Sequence, residues 1–216
     1  MKAQNALGIF AKTPVAGQVK TRLCPPLQAE EALALYEVML AETIEQMAKV
    51  PDADLLLFVA GDEAYFAERW PQLRRLPQVE GDLGQRMETA ITGLLAEGYE
   101  AAILVGADSP DLPPEKVEKA FLHLEQVEVV FFPAEDGGYV LLGESRHNPE
   151  IFTDLPWSTE KLADRTRQRL HFHGLIHREL ETWDDVDDVP SVERLLARSP
   201  WCKTAQFVRT QLRRYF

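Results

Sequence analysis

The stretch AAILVGADSPDLP, residues 101–113, decides how this chain folds. Five apolar residues, Ala101 to Val105, run without a polar break, which is the pattern of a strand buried on both faces. They end in a polar turn, Gly106-Ala107-Asp108-Ser109-Pro110-Asp111, stiffened by its proline. Pro113, Pro114 and Glu115 then open a helix that should reach about Leu124, because proline is tolerated in a first helical turn and an acid there suits the helix dipole. A buried strand, a polar loop at its carboxyl end and a helix are consecutive parts of a βαβ unit.

The same alternation extends toward the N-terminus. Ala6–Phe10 is a short apolar run that ends at Ala11-Lys12-Thr13-Pro14. Residues 28–49 carry Ala32, Leu35, Tyr36, Met39, Leu40, Thr43 and Met47 at helical spacing. Leu55–Ala60 is a second buried strand, residues 63–70 a short helix stopped by Pro71, and residues 86–97 an amphipathic helix stopped by Gly98. Toward the C-terminus, apolar runs at 127–132 and 139–142 flank Glu135-Asp136-Gly137-Gly138, a hairpin-like signal. Helices are expected at 160–170, 190–197 and 203–216, with a strand at 175–180. The pattern predicts an α/β fold: a mostly parallel, Rossmann-like sheet, helices on both faces, and an antiparallel strand that joins late. No repeat, low-complexity tract or linker divides the chain, so one domain over residues 1–216, ending in the helix at about 203–216, is expected.

Composition narrows the function classes. At 216 residues the chain suits one domain and can bury a sizeable core without staples. No apolar run approaches the ~18 residues of a membrane span, and the stretch after Lys2 is too short and broken for a signal peptide. Cytoplasmic location, no membrane partner and a reduced state for Cys24 and Cys202 are the matching expectations. Lys and Arg number 23 against 35 Asp and Glu, a formal charge of −12. That balance argues against nucleic acid as a partner, which needs a basic face. It leaves room for a small phosphorylated ligand where a cation intervenes or the few basic residues converge.

Four motifs could do this. FAKTPVAGQVKTR, residues 10–22, is neither a P-loop nor a GxGxxG turn. It still combines Gly17, which lets backbone approach an anion, with Lys12, Lys20 and Arg22. Asp108 closes a buried strand, a good place to hold a hard divalent cation. Gly137 and Gly138 allow a ligand close to the backbone, with Asp136 facing it. Trp183-Asp-Asp-Val-Asp-Asp188 could supply a second metal carboxylate, Asp185 or Asp187. Each motif by itself is equally compatible with a solvated loop, a turn, a hairpin or a helix start. His171, His173 and His177 match no standard zinc spacing. The basic final helix is expected to pack on the domain or on a partner subunit, which allows a homodimer.

Taken in order, FAKTPVAGQVKTRL (10–23), DLGQRM (82–87), GADSPDLP (106–113), PAEDGGYVLLG (133–143), PWST (156–159) and WDDVDD (183–188) resemble the DUF2064 proteins. These are a glycosyltransferase-A-like group of the nucleotide-diphospho-sugar transferase superfamily, also described as transferases associated with radical-SAM and selenodomain gene neighbourhoods. They are similar more distantly to the molybdenum-cofactor guanylyltransferases and to phospholactate guanylyltransferase. The resemblance covers roughly residues 5–196. It implies that Lys12, Gly17, Lys20 and Arg22 cradle nucleotide phosphates and that Gly84 and Arg86 lie near the nucleotide. It implies that Asp108 and Asp187 hold Mg2+ or Mn2+ and that Gly137, Gly138 and Tyr139 shape the acceptor side. Asp188 stands where the family pattern has threonine. Asp108 and Asp136 are the catalytic candidates, Asp136 as base for the acceptor. The implied activity is metal-dependent glycosyl transfer from a nucleotide-diphosphate sugar to a small-molecule acceptor. Nucleotidyl transfer from a nucleoside triphosphate to a phosphorylated acceptor is the alternative, and a non-catalytic nucleotide-sugar binder is the third. The first loop has a single glycine, where a triphosphate-folding loop is usually richer, and this favours the sugar donor.

Overall fold

The computed structural model describes residues 3–216; Lys2, named above for its place before the first apolar run, lies outside them. Among the described residues, one sheet contains β1 (Asn5–Lys12), β2 (Ala53–Ala60), β3 (Arg74–Pro77), β4 (Ala101–Gly106), β5 (Val129–Pro133), β6 (Tyr139–Glu144) and β7 (His177–Glu179). The helices are α1 (Ala29–Met47), α2 (Glu63–Arg69), α3 (Leu83–Ala96), α4 (Pro114–Leu124), α5 (Leu162–Phe172), α6 (Val189–Arg198) and α7 (Lys203–Gln211). Strand order is β3-β2-β1-β4-β6-β5-β7. All neighbours pair in parallel except β6, which runs antiparallel to both β4 and β5. The α/β architecture read from the alternation is therefore present, and β6 is the late antiparallel strand.

Side chains alternate across the sheet and sort the helices into layers. Leu7, Ile9, Leu57, Ile103 and Val105 point to one face, where α1, α2 and α4 supply Leu40, Phe66 and Phe121. Ala6, Leu56, Phe58, Ala102 and Leu104 point to the other, covered by Ile91 and Leu94 of α3 and Leu170 of α5. The outer side of α1 presents Leu35 and Met39 to Val192 and Leu195 of α6 and Val208 of α7, which makes a further layer. No helix among the described residues is long and apolar enough to cross a membrane.

The sequence pattern misses β3. This edge strand has four residues, two of them arginines, and charged edges are how sheets avoid further pairing. α3 starts earlier than its apolar period because Asp82 and Gln85 form a reciprocal cap. α7 ends at Gln211 instead of running to the last residue. Beyond it the chain turns so that Tyr215 can donate to Glu31 of α1 at 2.8 Å.

Candidate active site

β2 lies on one side of β1 and β4 on the other, and such a reversal of strand order opens a crevice at the carboxyl ends of an open sheet. The loops after β1 and β4 leave from that end. So does the turn at 134–138, because antiparallel β6 begins where β5 stops. A fourth segment is strapped over the same rim. Trp183 pairs with Ala134 in an isolated parallel bridge, its N–H donates to Pro133 O at 3.0 Å, and the Val186 N–H donates to Asp108 O at 2.8 Å.

Lys20 lies at the centre. Its side chain is 4% exposed, and its ammonium forms ion pairs with Asp108 and, at 2.7 Å, with Asp187. Arg22 approaches the other oxygen of Asp187 at 3.4 Å. Burial alone would pull the Lys20 pKa down; the charges and hydrogen bonds of Asp108 and Asp187 outweigh it, and the net shift is upward. Residues 88 and 167 positions away along the chain thus share one buried cation.

Asp187 also belongs to a second group. Asp136, Asp185 and Asp187 each offer a carboxylate oxygen within 4.8 Å of the others. Asp185 records the crowding: burial, then the charges of Asp187, Asp136 and Asp108, push it up to about 7 against the pull of Lys20. An all-oxygen set of this kind suits a hard divalent cation. No histidine among the described residues joins such a group.

The acidic run divides its labour. Asp184 is buried and receives forked hydrogen bonds from Arg194 at 2.7 and 3.0 Å. Asp188 caps α6 by accepting from the Ser191 N–H at 2.9 Å, while Ser191 Oγ accepts from the N–H groups of Asp187 and Asp188 at 2.9 Å. The place of the family's threonine is therefore filled by a working cap. Asp185 and Asp187 remain for the rim.

Two cavities meet there. The first, of about 380 Å³, is lined by Lys12, Lys20, Arg22 and Arg86 together with Gln18 and Tyr36. Tyr36 pins its floor: the hydroxyl accepts from Lys12 N–H at 3.0 Å and donates to Lys12 O at 3.1 Å. The second, of about 320 Å³, adds Asp136, Gly138, Tyr139 and Asp185. Phe10, Arg22, Leu83, Asp108 and Asp187 form the shared wall.

The candidate glycines differ in what they do. Gly17 has a positive φ of 74° in the first loop. Gly84 packs beneath Trp157; a Cβ there would lie 2.1 Å from the indole Nε1, and it is its neighbour Leu83 that lines both cavities. Gly137 has φ 84°, and a Cβ would meet Glu160 O at 2.0 Å. It seats the start of α5 on the turn, its carbonyl accepting from Ala163 N–H at 2.9 Å. Asp136 is exposed and accepts from the Gly138 N–H at 2.9 Å. The Tyr139 hydroxyl pairs with Thr166.

Sequence reasoning passed over three contributors. Tyr36 reads as a core position of α1. Gln78, which donates to Phe58 O at 2.9 Å and lines the first cavity, follows the unrecognised β3. Arg198 grips Asp111 at 2.7 and 2.9 Å and donates to Asp184 Oδ2 at 3.2 Å. No local signal in the sequence around Asp111 or Arg198 marks that link.

A model of a family described as uncharacterized proteins conserved in bacteria, DUF2064, matches residues 43–159. No curated protein matches. Among solved structures, a provisionally assigned nucleotide-diphospho-sugar transferase from Desulfovibrio desulfuricans G20 is 29% identical, with 99% of this chain and 98% of that chain covered and a TM-score of 0.89. A CMP:2-keto-3-deoxy-manno-octonic acid synthetase complexed with CTP is 12% identical over 93% of this chain and 99% of the other, TM-score 0.58. The manganese complex of Rv0371c from Mycobacterium tuberculosis H37Rv is 18% identical over 91% of this chain and 100% of the other, TM-score 0.51. At such identities the last two show a shared fold.

Proposed function

The chain belongs to the DUF2064 family, and from that premise we propose that it transfers a sugar from a nucleotide-diphosphate donor to a small-molecule acceptor. The observation that carries this reading is Lys20, buried between Asp108 and Asp187 where the cationic and acidic cavities share a wall. The donor's phosphates belong in the first cavity, the one place in this acidic chain where Lys12, Lys20, Arg22 and Arg86 converge. The sugar then projects over the shared wall into the second.

Asp185 and Asp187, two members of the carboxylate trio, with Asp108, whose charge also bears on Asp185, would hold Mg2+ or Mn2+, and the ion would supply positive charge to the diphosphate. The chain's own residues do the rest. Lys20 and Arg22 stabilise the charge that develops on the phosphate oxygens, an effect often worth several kcal/mol when the donors are preorganised. The acceptor hydroxyl oxygen bonds to the anomeric carbon and the bond from that carbon to the diphosphate breaks. The electron pair leaves with the nucleoside diphosphate, and the hydroxyl proton passes to Asp136, the exposed acid of the chamber. The wall shared by the two cavities keeps donor phosphate and acceptor on opposite sides of the reacting carbon.

The manganese-bound fold relative supports a divalent ion here, and the provisional assignment of the Desulfovibrio protein supports the sugar donor. The CTP-bound fold relative favours a second reading, nucleotidyl transfer. A thermal-shift screen of nucleotides and nucleotide sugars with and without Mg2+ or Mn2+, followed by product analysis, tests both. A ligand at one hundred times its Kd should stabilise by about 2.7 kcal/mol. Metal-dependent release of a nucleoside diphosphate supports sugar transfer, and pyrophosphate release supports nucleotidyl transfer. Tight binding with neither product would mark a sensor.

A further inference from the structure

We infer that the acceptor is a small uncharged or amine-bearing alcohol with an apolar body, and that phosphorylated and carboxylated acceptors are excluded. This rests on the transferase reading and deepens it. The second cavity is the acceptor's place, and its walls have two characters. Its depth is hydrocarbon from both the sheet and the helices: Met87, Leu104, Val140, Leu142 and Leu162. Its mouth carries four carboxylates, Asp108, Asp136, Asp185 and Asp187.

Arg22 is the one cation among the described residues that line this cavity, and it already faces Asp187 at 3.4 Å. Lys20 lines the first cavity and not the second, and its ammonium is occupied by two acids. Lys12 and Arg86 likewise line the first and not the second. With the donor bound, Arg22 is engaged by the diphosphate from the first cavity, so an anionic acceptor would lose its hydration shell beside like charges with no further cation among the described lining residues to receive it, and like-charge juxtaposition is a strong device for rejecting wrong partners. A bound divalent ion does not reverse the balance, because the donor's diphosphate arrives with it. A neutral hydroxyl compound meets no such barrier, and an ammonium group would be attracted to the mouth. The volume, about 320 Å³, lies at the small end of ligand pockets, which fits a compact metabolite and not a polymer end. The same asymmetry counts against the nucleotidyl reading, whose acceptor carries a phosphate.

A matched probe set tests this. 4-(Hydroxymethyl)benzamide, 4-(aminomethyl)benzyl alcohol, 4-(hydroxymethyl)benzoate and 4-(hydroxymethyl)phenyl phosphate present the same hydroxymethyl arene with a neutral, cationic or anionic tail. Their affinities are measured by ligand-observed NMR on the full chain in the presence of Mg2+, which is diamagnetic, and a saturating nucleoside diphosphate. The amide and amine should bind at least tenfold more tightly than the benzoate and phosphate. Thr159→Lys adds a cation to an exposed position that lines only this cavity, and it should narrow the gap at least threefold. Equal or tighter binding of the anionic probes overturns the inference. So does an unchanged gap in Thr159→Lys, or failure of all four probes to bind at millimolar concentration. Nucleotide-sugar binding is followed in parallel samples of the same protein without the nucleoside diphosphate. If it persists while the probe preference fails, the transferase reading stands and only the acceptor class is lost. If it is absent, both are lost.

Discussion

At the scale of single residues, Lys20 governs the charge balance of the rim. Its backbone sits at φ 48°, ψ 38°, a left-handed conformation that costs a non-glycine residue about 1 kcal/mol or more, and two ion pairs offset that cost. Lys20→Met removes the cation and leaves Asp108 beside Asp187. We expect a loss of about 10²-fold or more in kcat, the range for a lost charge stabiliser, and a loss of about 1–3 kcal/mol in urea unfolding. The raised pKa places this stabilisation fully below the unfolded value of 10.5 and removes it only as pH climbs through the higher folded value, so it is complete at neutral pH. Glu144 shows the opposite case, far from the rim. It is fully buried, Oε2 has no hydrogen-bond partner among the described residues, and Asn148 serves only Oε1, at 3.0 Å from both its N–H and its amide. Burial lifts its carboxyl to about 8, Asn148 pulls downward, and Glu88 and Glu150 add to the rise. A carboxyl whose folded pKa exceeds its unfolded one of 4.5 binds more protons in the native state between those values, so stability falls as pH rises through that window. Urea unfolding from pH 5 to pH 8 should show Glu144→Gln gaining on the parent by up to about 1.4 kcal/mol per pH unit. An unchanged difference across the range would mean that Glu144 titrates normally.

At the scale of elements, the site depends on how α6 ties two loops together. Arg198, near its C-terminus, bridges Asp111 from the loop after β4 and Asp184 from the acidic run; these carboxylates are 2% and 7% exposed. Ser199 Oγ adds a hydrogen bond to Asp111 at 2.6 Å. This network sets the spacing between Asp108, three residues before Asp111, and Asp185, one residue after Asp184. Arg198→Met leaves the buried Asp111 carboxylate without its counter-charge and Asp184 with Arg194 alone, and should cost about 3 kcal/mol in denaturant unfolding. It should also weaken metal-dependent donor binding although Arg198 lies outside both cavities. Arg198→Lys keeps the charge without the planar fork and should recover stability more than donor binding. Equal losses in both measurements for both variants would reduce Arg198 to a stabilising residue alone.

At the scale of the whole molecule, α7 lies along α1 and completes the layer on its outer side. Glu42 of α1 is 3% exposed and caps α7, accepting from the N–H groups of Lys203 at 2.6 Å and Thr204 at 2.7 Å and from the Thr204 hydroxyl at 2.7 Å. Removing residues 203–216 would uncover Leu35 and Met39 and strand the Glu42 carboxylate, so a lower Tm and dye-detectable apolar surface are expected. Full retention of Tm would show that this layer is dispensable. Much of this organisation is local enough to be legible in the chain. Apolar runs such as Ala101–Val105 can be satisfied only inside a sheet, and the 3.6-residue period of Leu35, Met39 and Thr43 only by a helix, so element type and fold class follow from patterning alone. Family blocks also marked most rim residues, Asp108, Asp136 and Asp187 among them. Which acids share a cation is different information. Lys20 meets Asp187 because a backbone hydrogen bond from Val186 to Asp108 and a bridge from Trp183 to Ala134 fold the acidic run over the rim. The cap made by Asp188 is settled locally by Ser191, and Asp184 is buried against arginines only 10 and 14 residues on, but that Asp185 faces a cavity beside Asp136 and that Asp187 meets Lys20, 167 residues away, depends on distances only the packed sheet sets.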